Sequence, residues 1–311
     1  MATTSTSTPV DHTSDAGFRT WVQEIITMLV TTLGVTQTAD TGQINTSTVT
    51  RPAINTMAGY VILRFNDAAQ ATSPIFIKLQ FGTGAVATSP QMDIQLGTGS
   101  SGAGVLTGTT TTVGSLCANN NSPTNPGVTA YLSRACYNTT AGVLWLTWKL
   151  NGSNPTNMCL GGFMISRSND ATGAVTTDAV ACYTNSSNTT GQNTQGAVFG
   201  ISYLQSAAFN FGNSAGWGYM PYSLTSTLFG GNTQVGPVFQ YTPVLGVTNW
   251  QAIAVNGELG INSTVSMTLV GSTAHTYIAV GSAYAISTIT NVSYSATGGA
   301  ATSYTQAFLW E

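Results

Sequence analysis

From residue 59 onward, this 311-residue chain carries runs in which apolar residues recur at every second position. Between Pro74 and Phe81, Ile75, Ile77, Leu79 and Phe81 take one face while Lys78 and Gln80 take the other. Between Gln91 and Leu96, Met92, Ile94 and Leu96 alternate with Asp93 and Gln95. A period of two is that of a β-strand, and an apolar face opposite a polar one marks an antiparallel sheet with one side on a core. The alternation returns between Gly142 and Leu150, through Leu144, Leu146, Trp148 and Leu150, and between Thr264 and Val270, through Val265, Met267 and Leu269. Clusters of Gly, Thr, Ser and Asn separate these runs, as turns do in sandwiches and jelly rolls. Thr makes up about one residue in six, and its branched, hydroxyl-bearing side chain suits a half-solvated strand. The chain is therefore predicted to be mainly β, built of antiparallel β-sandwich or jelly-roll-like domains, with little helix beyond residue 40.

The pattern differs before that region. Residues 1–16 form a Thr/Ser tract with a single Pro and no apolar period. Such an arm has no core of its own and is expected to dock on a neighbouring subunit or partner. Phe18, Trp21, Val22, Ile25, Met28, Leu29 and Leu33 then recur at steps of three and four. This spacing predicts an amphipathic helix with Asp15 as its N-cap and Gly34 at its end. The stripe can pack on the chain's own sheet or on a partner. Phe18, Trp21, Val22, Ile25 and Leu29 are its candidate assembly contacts, because an exposed Trp/Phe/Leu face would compromise solubility. The stretch from Asn119 to Gly127, rich in Asn and carrying two prolines, marks a boundary. The expected organisation is an anchor of arm and helix at 1–35, a first β domain at 36–118, a linker at 119–127 and a second β domain at 128–311. Asn185 to Gln195, polar and without period, reads as a long exposed loop.

Charge is scarce. Seven Lys or Arg and ten Asp or Glu leave 5% of residues charged, against about 25% in an ordinary soluble domain. The hydrophobic fraction is 42%, so hydroxyls and amides stand where charges would, and a core remains available. A formal net charge of -3 offers no field to hold a polyanion, and nucleic-acid binding is not expected. The most apolar helical stretch, Ile25 to Val35, is broken by Thr27, Thr31 and Thr32 and falls short of the roughly 20 residues a spanning helix needs. Membrane insertion is likewise not expected. The first residues lack the basic start and apolar run of a signal peptide, so assembly in the cytoplasm of the producing cell is the expectation.

The supply of reactive groups is thin. Cys117, Cys136, Cys159 and Cys182 follow one another at 19, 23 and 23 residues, which is neither a zinc spacing nor a dense disulfide framework. Buried free thiols are the main expectation and two bridges the alternative. His12 lies in the arm and His275 on a predicted strand, with no second histidine at metal-ligand spacing. The Gly-rich run from Gly97 to Gly104 lacks the Lys and the helix start of a phosphate loop and reads as a hairpin connection. Hydrolysis by paired carboxylates would have to draw on Asp67, Asp93, Asp170, Asp178 or Glu258. Asp93 alternates outward, Asp170 sits in a turn sequence, and nothing joins Asp178 to Glu258. No catalytic residue, metal site or cofactor is expected, and the chain reads as non-enzymatic.

Binding is easier to support. The segment from Gly216 to Tyr222 sets Trp217, Tyr219 and Tyr222 among glycines and a proline. It predicts a loop of exposed aromatics, the candidate receptor-facing residues, with the alternative that the rings fold back over the second domain. Trp145 and Trp148 lie on opposite faces of one strand, one for the core and one for an interface. The terminal Ala307-Phe-Leu-Trp310 is too apolar to hang free and is expected to pair or pack.

The first hundred or so residues carry a succession of motifs. They are Thr13-Ser-Asp-Ala-Gly-Phe-Arg-Thr-Trp21, Leu33-Gly-Val-Thr-Gln-Thr-Ala-Asp-Thr-Gly-Gln-Ile44, Thr50-Arg-Pro-Ala53, Ala58-Gly-Tyr60 and Arg64-Phe-Asn-Asp-Ala-Ala-Gln-Ala-Thr-Ser-Pro-Ile-Phe76. In that order they resemble a family of virion structural proteins of tailed bacteriophages. The resemblance implies a particle component and brings no catalytic residues with it. With the polar arm and the charge-poor strands, it leads to the expectation of a tail-associated fibre or adhesin subunit, anchored through residues 1–35. Its expected partners are other virion proteins, its own copies as a homotrimer, and a host-surface glycan or protein. A capsid decoration or head-fibre protein is the first alternative, and a glycan depolymerase the second.

Overall fold

The computed structural model of the chain describes residues 2–6, 9–84, 87–88, 90–109, 128–140, 142–150, 160–169, 175–185, 195–200, 207–210, 217–219, 235–240, 252–256, 264–268, 274–279 and 304–310. Two short strands, β1 (Ala2–Thr6) and β2 (Pro9–Asp11), precede helix α1 (Asp15–Ile26). The cap of α1 is Ser14 and not Asp15: its extended backbone starts the helix and its Oγ accepts the Gly17 N–H at 3.0 Å. Both residue types cap well. The one-residue shift puts Asp15 in the first turn, where a carboxylate favours the helix dipole and where it also accepts the Arg51 N–H at 2.8 Å. The helix does not run unchanged to Gly34. Thr27–Thr32 continues it as a π-helix, and the Leu33 N–H donates to the Met28 carbonyl at 3.0 Å. Met28, Leu29 and Leu33 stay buried through this wider turn. Gly34 then stops it at φ 77°, a conformation that glycine adopts without the clash a Cβ would bring.

An antiparallel four-stranded sheet follows in the order β3 (Thr36–Gln37), β4 (Thr56–Arg64), β5 (Phe76–Thr83) and β6 (Pro90–Gly97). Its registers align the predicted apolar faces into rows, Val61 with Leu79 and Ile94, and Leu63 with Ile77 and Leu96. All six are buried, and burying each side chain of this size contributes roughly 1.5–3 kcal/mol before chain entropy is subtracted. A 3-10 turn, Ala68–Ala71, interrupts the connection from β4 to β5, and a small hairpin, β7 (Gly99–Ser100) with β8 (Leu106–Thr107), follows β6.

The next strands form an antiparallel meander: β9 (Val128–Asn138), β10 (Val143–Leu150), β11 (Leu160–Asn169), β12 (Val175–Asn185), β13 (Gln195–Gly200) and β14 (Ala207–Asn210). β1 and β2 complete this eight-stranded sheet by pairing with β9. A six-stranded antiparallel sheet is made by β15 (Trp217–Tyr219), β16 (Val235–Gln240), β17 (Ala252–Asn256), β18 (Thr264–Thr268), β19 (Ala274–Ala279) and β20 (Tyr304–Leu309). In it β20 lies between β17 and β19, so the apolar chain end pairs as expected. The fold is mainly β, and α1 is the one α-helix among the described residues.

The hydrophobic core crosses the expected domain boundary. Phe18, Trp21, Val22, Ile25 and Leu29 of α1 and its continuation meet the rows of the four-stranded sheet, together with Ala135 and Tyr137 of β9, Leu144 and Leu146 of β10, and Phe163 and Ile165 of β11. Residues on both sides of 119–127 thus share one cluster, while the linker itself lies outside the described residues. The helix face is covered by the chain's own sheets, with Phe18, Val22, Ile25 and Leu29 at 0% exposure and Trp21 at 4%. The expectation that these five meet a partner is corrected accordingly: among the described residues the stripe is the only helical apolar surface available to the sheets, and they consume it. The other face of β10 is also covered. Trp145 is fully buried with its ring 5.8 Å from that of Trp310, and the Trp310 N–H donates to the Thr276 carbonyl at 2.7 Å.

Candidate functional site

The arm-bearing end of the eight-stranded sheet is the feature closest to an assembly site. β1 lies antiparallel on β9 from Ala2 opposite Tyr137 to Thr6 opposite Ser133, and β2 continues from Pro9 opposite Ala130 to Asp11 opposite Val128. Expected to lie on a neighbour, the arm here supplies a strand to its own β9. The interaction is one of main-chain ladders and needs no charge, which suits a Thr/Ser tract. Thr3 stands opposite Cys136, a free buried cysteine whose thiol is pushed up to about 12 by burial. The base of the arm is pinned by His12, which is 1% exposed. Its Nε2 lies 3.0 Å from Thr83 Oγ1, and the Thr83 hydroxyl donates to the Pro52 carbonyl at 2.9 Å. A hydroxyl has a single proton to give, so Thr83 accepts from a protonated Nε2. The ring meets Phe18 and Trp21 edge-on, with centroids 5.5 and 6.1 Å away.

A second constellation joins the two sheets. Arg167 of β11 reaches Asp67, in the connection from β4 to β5, through Nε at 2.5 Å and Nη2 at 2.8 Å. Nη1 donates to the Ser73 carbonyl at 2.6 Å. The side chains are 1% and 3% exposed, so a planar guanidinium and a carboxylate meet as a two-pronged pair with water excluded. Gly142 makes the room. A Cβ there would lie 2.7 Å from Arg167 Cδ, and its φ of 64° disfavours any other residue. Asp67 was legible only as one carboxylate among several, and Arg167 carried no local signal at all. Their duty is structural: both oxygens of Asp67 are held by the cation.

A shallow groove of about 490 Å³ runs beside β3, lined by Thr36, Gln37, Thr38, Asp40, Arg64, Phe76 and Ser100 among others. Asp40 joins the loop after β3 to the β7–β8 hairpin. It accepts from the hydroxyls of Ser100 and Thr38, the latter at 2.5 Å, and from the Gly104 N–H at 3.1 Å. Burial pushes its carboxyl up, but the hydrogen bonds from Ser100, Thr38 and the Gly104 and Gly102 backbone outweigh that and hold it below its ordinary 3.8. Because the folded value is depressed, this contribution to stability is present above pH 3.8 and disappears as pH falls through the folded value. Asp40→Asn is therefore expected to lose part of the acid sensitivity below that pH, measured as melting temperature against pH for the two proteins. An unchanged profile would show that Asp40 does not couple to folding.

The remaining predicted groups are scattered. Trp217 and Tyr219 lie on β15, a strand and not the expected loop, because Trp217-Gly-Tyr219 pairs with Gln240 through Val238 of β16. Two residues apart, they share one face of that strand. Tyr222 lies outside the described residues. So do Cys117, Cys159, Asp170 and Glu258, and the polar loop apart from its ends, Asn185 and Gln195. Asp93 lies on β6, where it accepts from Gln91 Nε2 at 2.9 Å, and Asp178 lies on β12 of the other sheet. Among the described residues no group of three His, Cys, Asp or Glu could hold a metal ion, and no helix is long and apolar enough to cross a membrane. Comparison with family models, with curated proteins and with solved structures finds no match.

Proposed function

We propose that this chain is a structural subunit of a tailed-bacteriophage virion, a tail-associated fibre or adhesin subunit anchored near its N-terminus. In this reading it self-associates as a homotrimer, contacts other virion proteins and meets a host-surface glycan or protein. The supporting observation is the arm itself, a Thr/Ser tract laid as a strand on the end of an eight-stranded sheet. The arm pairs within its own chain, and the same kind of strand addition made to a neighbour would couple subunits through the backbone without charged side chains. The 5% charge points the same way, since a surface of hydroxyls and amides suits neutral sugars and closely packed copies. Stacking of the sheets as a sandwich or jelly roll belongs to the same reading, supported by burial of Leu144, Leu146 and Trp145 on opposite faces of β10.

The deciding experiment locates the chain in a reconstruction of the intact particle. Density at the tail is the expected result. Density on the capsid lattice would make it a decoration or head-fibre protein, and absence from the particle would end the virion reading. In the tail case, replacing Trp217 and Tyr219 together by Ala should lower adsorption to the host by at least about tenfold, as loss of aromatic anchors does, with the far-ultraviolet circular dichroism unchanged. Unaltered adsorption would remove these two rings as receptor-facing groups.

A further inference from the structure

We infer that the N-terminal arm is an exchangeable strand: β1 and β2 of one copy leave their own β9 and pair, in the same register, with β9 of a second copy of this chain. The inference does not depend on where the chain acts. It starts from the position of the arm, which sits at one end of its sheet and pairs there with β9 alone. A strand at a sheet end leaves and returns without separating any other pair of strands. Every ladder contact from Ala2–Tyr137 to Asp11–Val128 is then remade with the same residues of the other copy. Exchange of an identical element costs little for this reason.

Three further features fit that movement. Thr3 and Thr4 are only half-buried, so these two side chains give up little burial when β1 opens, as local opening requires. His12 stays behind as the pivot, held by Thr83 and wedged against Phe18 and Trp21. From that pivot, residues 1–11 extend over roughly 36 Å, enough to reach a β9 edge on an adjoining molecule. Departure of the arm leaves the edge of β9 bare, and a bare edge is a template for the next strand of matching register. Between Ala2 and Val10 the arm carries no charge that would repel a second copy. Reciprocal exchange makes a closed dimer, and one-way donation makes a closed ring such as a trimer.

The register supplies the test. Thr3 is opposite Cys136, so Thr3→Cys in the full chain places a second thiol across the arm ladder from Cys136. The protein is oxidised with diamide over a range of concentrations, resolved on a non-reducing gel, and the link between position 3 and Cys136 located by peptide mapping. Exchange predicts that this link joins two chains, in bands at two or more chain masses that fill as concentration rises. A link found only within single chains overturns the proposal. Light scattering on the full chain decides independently if no link forms. Thr3→Pro with Thr4→Pro removes a ladder N–H whichever of the two faces β9. Multimers present in the unaltered chain and lost in this variant support exchange, whereas a chain that is monomeric throughout, or multimers that survive both prolines, overturn it.

Discussion

Replacing Arg167 by Met should lower the unfolding free energy by about 3–5 kcal/mol, the cost typical of leaving a buried charge without its partner. The reasoning rests on geometry. Nε and Nη2 grip both oxygens of Asp67, Nη1 serves the Ser73 carbonyl, and solvent reaches neither side chain appreciably. Removing the cation strands the Asp67 carboxylate and the Ser73 carbonyl together. Asp67→Leu should cost a similar amount, because it strands the guanidinium. The double variant should recover most of either loss, since two apolar groups of similar volume need no compensation. Urea unfolding of the four proteins measures the cycle. Single losses within about 0.5 kcal/mol, the range of ordinary surface changes, would mean the pair does not join the sheets. Gly142→Ala should weaken the same joint from behind, because its Cβ collides with Arg167 Cδ.

Trp21→Ala is expected to cost about 3–5 kcal/mol, the usual range for deleting a buried aromatic. Trp21 is 4% exposed, and its ring packs edge-on against Phe81 at 5.6 Å, beside Phe18 at 6.0 Å. The void would open between helix and sheet, and the packing around it relaxes only in part. The loss should appear in the isolated chain and be independent of its concentration. A contact made only with a partner behaves differently: the isolated chain would keep its stability within about 0.5 kcal/mol and only assembly would suffer. Denaturation across a hundredfold range of concentration separates these outcomes.

Much of the strand content was legible because a strand advertises itself locally. Ile75, Ile77, Leu79 and Phe81 alternate in sequence, and all four turn into one core, Ile75 just before β5 and the other three along it. The helix from Phe18 to Leu33 was legible for the same reason, apart from its cap at Ser14 and its π-helical end. Trp217 and Tyr219 misled because glycines flanking aromatics read as a turn, whereas pairing with β16 overrides that local preference. The candidate site was less legible than the fold. A Thr/Ser tract announces only that it has no core of its own, and its partner strand begins beyond residue 127.

By itself the sequence determined which residues turn away from water, with what period, and how little charge the surface can carry. Those properties belong to neighbours along the chain, within a turn or a few strand residues. Only the tertiary structure decided what each apolar face meets: that α1 is enclosed by two sheets, that the core spans the division at 119–127, and that the arm lies on β9. It also decided that Asp67 and Arg167, 100 residues apart, form one ion pair. Periodicity encodes the side on which a residue lies and is silent about the partner, because contacts between distant segments leave no local pattern and are selected by packing, register and the exclusion of water.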